Sequence, residues 1–92
     1  MAVYIDPLGN WGWKHGPSCR LIADSIPELI DFAVLIGLRA EWFQPRSSPH
    51  FDLTVQIRER ALAAGAIELS KREFVGVIRR LRSEKFGLKV NA

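Results

Sequence analysis

Twice in this chain an apolar helical stripe ends in a glycine and passes within two residues into a short apolar run: Ile36-Gly37-Leu38 leading to Phe43, and Ala64-Gly65-Ala66 leading to Leu69. Glycine suits the left-handed turn that closes a helix, so each site marks a helix stop followed by a strand. Each run then meets a helix-start signal. Strands joined through a helix lie parallel when they share a sheet. The spacing therefore predicts an α/β fold: a small, mainly parallel four-stranded sheet with about three helices.

The expected strands are residues 2–5, 19–23, 38–43 and 66–69. The first helix starts at Ser25, whose spacing to Glu28 is that of a capping box with Pro27 in the first turn, and buries Ile26, Leu29, Ile30, Ala33 and Ile36. Asp52 is the expected N-cap of the second helix, with Leu53, Ile57, Ala61 and Ala64 inward. Ser70 and Glu73 repeat the capping box and open a third helix that buries Phe74, Val77, Ile78 and Leu81 and turns Arg79, Arg80 and Arg82 outward. Residues 83–92 read as a frayed extension. Residues 7–18 hold three glycines and two prolines and form a long loop. Such a loop permits either an antiparallel hairpin or a crossing, so the direction of the first strand stays open.

At 92 residues there is volume for one core, and residues 1–92 are read as one domain. A 48% hydrophobic and 25% charged composition excludes intrinsic disorder. Cys19 is the sole cysteine, which rules out an internal disulfide and a cysteine zinc cage. Neither a signal-like leader nor a membrane-length apolar run is present, so a cytoplasmic location without membrane contact is expected. The net charge of +3 is uneven: residues 1–70 carry six basic against eight acidic side chains, residues 71–92 seven against two.

In parallel sheets ligands collect beyond the carboxyl ends of the strands, where helix N-termini favour anions. On that reasoning Asp24, the loop after the third strand and Ser70-Lys71-Arg72 share one rim. Asp6 and the loop bearing Trp11, Trp13, Lys14 and His15 join it if the first strand is also parallel. Asp24, His50 and Asp52 form the sharpest constellation, able to hold a divalent metal or perform acid/base chemistry; the preferred reading is structural, with the two aspartates capping or flanking helix starts and His50 bonded to a loop carbonyl. Trp11 and Trp13 offer faces to a heteroaromatic ring, or cover the core or a second subunit. Trp42 and Phe43 read as core. Arg46 with Ser47 and Ser48 could grip a phosphate. The basic third helix, with Arg72 and, beyond it, Lys85 and Lys89, reads as a solvated face rather than a nucleic-acid surface, because no nucleic-acid motif accompanies it. Cys19 reads as inert core.

The segments MAVYID, LIADSIPELIDFAVLIGL, EWFQ, PHFDLT and ALAAGAIELSKRE, in that order, resemble a family of small bacterial and phage proteins known only as a domain of unknown function. The resemblance spans almost the whole chain. It implies no activity, and it points again to Asp6, Asp24, His50 and Asp52. Where the family often has a histidine before the Leu-x-Ala-Asp segment, this chain has Arg20, which favours binding over catalysis.

The expected function is binding of a phosphate-bearing small molecule, a nucleotide in the first instance, with Asp6, Trp11, Trp13, Lys14, Arg20, Arg46, Ser70 and Arg72 around it. The alternative is a metal-dependent phosphodiesterase or nuclease using Asp24, His50 and Asp52 on a divalent metal. A third reading is an oligomeric interaction module, since so short a chain favours self-association.

Overall fold

A computed structural model describes residues 2–10, 12–45 and 48–84. The expectations for Trp11, Arg46, Ser47, Lys85 and Lys89 lie outside these residues. In chain order the elements are β1 (Val3–Ile5), β2 (Cys19–Ala23), α1 (Ile26–Leu35), a 3-10 turn (Ala40–Trp42), β3 (Phe51–Leu53), α2 (Val55–Ala63), β4 (Ile67–Glu68) and α3 (Lys71–Arg82).

The helices follow their local chemistry. Ser25 accepts the Glu28 N–H at the start of α1, Thr54 accepts the Ile57 N–H at the start of α2, and Ser70 and Glu73 close a full capping box on α3. At the other ends, Gly37 and Gly65 adopt φ of 101° and 104°. The Leu38 N–H then reaches back to the Ala33 carbonyl and the Ala66 N–H to that of Ala61, so both helices stop in the same hydrogen-bonded turn.

The sheet has the order β3-β2-β1-β4 and is mixed, which corrects the expectation of a mainly parallel one. β1 and β2 pair antiparallel, as do β2 and β3; β1 and β4 pair parallel. Two causes account for the difference. The loop between β1 and β2 folds back as a hairpin, pinned at its base by reciprocal bonds between Gly9 and Ser18 of 2.8 and 3.0 Å. Residues 38–43 also form no strand. Their buried positions, Leu38 and the partly buried Phe43, are five apart and do not alternate, so a helical turn replaces the strand. β3 instead arises at Phe51–Leu53, where Phe51 and Leu53 point inward and Asp52 outward. Asp52 therefore sits within a strand, and Thr54 takes the capping role expected of it. The β-α-β grammar holds for α2, which joins β3 and β4 at opposite edges of the sheet in the same direction.

The strands alternate faces. Val3, Ile5, Cys19, Leu21, Ala23, Phe51 and Leu53 pack with Leu29 and Ala33 of α1 and Ala61 of α2 into one core. Tyr4, Arg20, Ile22, Asp24 and Asp52 project to the other face by the pleat, and there α3 lies, with Phe74 only 2% exposed. On α1, Val34 and Leu35 remain exposed.

A clasp joins α3 to the sheet. The Tyr4 hydroxyl donates to Asp24 at 3.0 Å, Arg80 reaches the same carboxylate at 3.1 Å, and the Ala2 N–H donates to it at 2.9 Å. Partial burial pushes the Asp24 carboxyl up, but these hydrogen bonds and the Arg80 charge outweigh it and hold the group below the usual carboxylate range. A depressed carboxyl contributes stability that is complete above its unfolded value, about 3.9, and is lost as pH falls through the folded one. Asp24→Asn is therefore expected to cost about 1 kcal/mol at pH 7, Arg80 being well exposed to solvent. Urea midpoints at pH 7 and pH 3 check this: the gap between parent and variant should narrow at pH 3, and parallel pH profiles would contradict the assignment.

Candidate functional site: a groove beside β3

The carboxyl ends of β1, β3 and β4 meet the start of β2 at one rim, because β2 alone runs the other way. Asp6, the loop that carries Trp13 and Lys14, Thr54 and Ser70 follow those strand ends. Asp24 closes the far end of β2 and goes to the opposite rim. Arg20 is the register partner of Asp52, and Asp24 lies four residues further on, about 13 Å along the strand. Ligands of one divalent ion lie within about 2.0–2.6 Å of it, so Asp24 and Asp52 cannot share a metal. Among the described residues no group of three or more His, Cys, Asp or Glu side chains is placed to hold one.

His50 and Asp52 do come together. They leave β3 on the same face, with His50 Nε2 3.6 Å from Asp52 Oδ1. His50 Nδ1 lies 2.8 Å from the Ser48 carbonyl, which can only accept, so Nδ1 carries the hydrogen. Gln44, bridged to His50 through the backbone, donates its side-chain amide to Asp52 Oδ2 at 2.5 Å.

Asp52 and Gln44 open into a groove of about 580 Å³ whose other walls include Trp13, His15, Trp42 and Thr54. That volume lies in the range of small-ligand sites. The hairpin loop supplies Trp13, whose ring meets His15 edge-on at 4.6 Å. The 3-10 turn supplies Trp42, which is 52% exposed and so is not the core residue the sequence suggested. Asp52 keeps 36% of its side chain exposed, against 13% for the His50 behind it. Arg20, the cross-strand neighbour of Asp52, leaves the sheet on the same face and is exposed. By contrast, the cleft between α3 and the end of β2, lined by Ile22, Ile78 and Leu81, measures about 40 Å³ and has no comparable polar wall.

The remaining candidates have structural occupations. Asp6 accepts the Arg20 N–H at 2.7 Å; burial pushes its carboxyl above the usual range against the pull of that bond and of the Arg20 and Arg58 charges. Ser70 spends its hydroxyl on the α3 cap, and Arg72 is an exposed residue of α3. Arg58, absent from the sequence expectations, reaches from α2 to Glu68 at 2.7 Å and to the Asp6 carbonyl at 3.4 Å. Burial pushes the nearby Cys19 thiol up to about 12, which leaves it an unreactive core group. Trp42 and Gln44 also went unrecognised as site residues. Neither carried a distinguishing signal, since Trp42 stands beside Phe43 and Gln44 is a single polar residue before Pro45.

A family model described as "Protein of unknown function (DUF4031)" matches residues 3–81. Comparison with curated proteins and with solved structures returned no match. No described helix is long and apolar enough to cross a membrane.

Proposed function

Because the chain belongs to the DUF4031 family, whose description carries no activity, we propose its function from the groove: it binds a nucleotide-like small molecule, a planar ring bearing phosphate. The observation that carries this reading is the placement of two indoles, Trp13 and Trp42, in the walls around Asp52 and Gln44. Indole faces hold a flat ring, while carboxylate and amide groups fix its edge. Phosphate would lie outside the groove, toward Arg20 beside Asp52 and toward Lys14 next to Trp13, both exposed. A hydrolase reading loses its three-ligand metal set, since Asp24 belongs to the clasp under α3.

Calorimetry and tryptophan fluorescence with a panel of nucleosides and nucleotides test the proposal. Binding with quenching is expected, weakened roughly 5- to 150-fold in Trp42→Ala, as removal of a stacking platform costs about 1–3 kcal/mol per base. Absence of heat and of quenching across the panel at millimolar ligand would overturn it.

A further inference from the structure

The one charged side chain among the described residues lining the groove, Asp52, presents acceptors alone, and this selects among flat rings. Asp52 is a carboxylate and only accepts. Gln44 commits one N–H of its amide to Asp52 Oδ2, and its carbonyl oxygen accepts. Among the described residues neither lysine nor arginine lines the groove. The second N–H of Gln44, Thr54 and His15 can donate there besides the indoles, and Thr54 already accepts the Ile57 N–H. A ring edge rich in acceptors would face like groups here and leave its own lone pairs unmatched. A ring edge with two adjacent N–H donors would meet the two oxygens of Asp52, each of which keeps a second lone pair.

Resting on the nucleotide reading above, we infer that the groove is selective for a base with an in-plane pair of donors, the guanine type with its ring N–H and adjacent amino group, over adenine-type bases. Asp52 is the specificity-determining residue, and Gln44, whose amide donates to Asp52 Oδ2, is the positioning residue that holds its carboxylate. The bidentate contact between a carboxylate and a donor pair is charge-assisted and directional. Sites built on such contacts reject analogues that lack one donor, because the site's own acceptor is then left unpaired.

The test is titration of the protein with guanosine, inosine, 1-methylguanosine and adenosine, in parent and in Asp52→Asn. Inosine lacks the amino group and 1-methylguanosine lacks the ring N–H. The parent is expected to bind guanosine at least about tenfold more tightly than any of the other three. Asp52→Asn, which keeps the shape and removes an acceptor, is expected to lose most of that preference. The ligand series in the parent decides the matter even if the variant fails to fold. Equal binding of all four nucleosides would overturn the inference and leave the nucleotide reading standing. Absence of binding by all four, together with a silent nucleotide panel, would overturn both.

Discussion

Phe74→Ala is expected to destabilise the protein by about 3–5 kcal/mol, a large share of the roughly 5–15 kcal/mol that holds a domain together. Phe74 is the one residue of α3 that is buried, at 2% exposure. The helix is also held by the partly buried stripe of Val77, Ile78 and Leu81, by the clasp through Arg80 and by Arg82, which donates to Ser48 Oγ at 3.1 Å. Losing the ring removes the anchor and weakens the geometry that lets Arg80 reach Asp24. The expected outcome has two parts: a lowered denaturant midpoint, and faster amide exchange in α3 than in α1 or α2. A loss below about 1 kcal/mol, or exchange that rises equally in all three helices, would contradict the assignment of Phe74 as the separate anchor of α3.

Phe51→Ala is expected to cost a similar 3–5 kcal/mol, by a different route. Phe51 is 1% exposed, lies in the main core and contacts the Phe43 ring at a centroid distance of 5.8 Å. Its neighbours His50 and Asp52 project to the opposite face, so its side chain sets the position of the strand that carries them. Phe43→Ala should cost less, because Phe43 is only partly buried. The double variant should depart from additivity by about 0.5–1.5 kcal/mol, the contribution of the ring pair itself. Chemical denaturation of the two single variants and the double variant provides the measurement. Strict additivity would mean that the turn carrying Trp42 and Gln44 is held against β3 by other contacts.

The parts of this fold legible from sequence were those decided within a few residues. Ser70 with Glu73 announced a cap, and Gly37 and Gly65 announced two helix stops; local hydrogen bonding settles such features. Strand direction is settled by distant partners. The 27 residues between Ala23 and Phe51 resemble a simple crossover when read as helix, glycine and apolar run, yet a 3-10 turn and the Gln44–His50 bridge reverse the path and bring β3 in antiparallel to β2. Asp52 has the residue type of a helix cap, and the alternation Phe51–Leu53 that places it in a strand is only three residues long. For the site, the sequence left Trp13 between ring binding and covering the core or a second subunit, and in the fold it lines the groove. Trp42 was not legible, because neighbouring Phe43 made the pair look like core. Asp24 fell on the expected rim only while β2 was taken as parallel to its neighbours, and its carboxylate instead serves the clasp.

β1 finds its second neighbour, β4, more than sixty residues later in the chain. During synthesis the amino-terminal hairpin therefore has to wait with one side of a central strand unmatched until residues 67 and 68 emerge and α2 has spanned the sheet. Exposed strand edges of this kind recruit other chains, and contacts so far apart in sequence form slowly. The growing polypeptide thus has an interval of vulnerability that ends only when β4 can pair with β1.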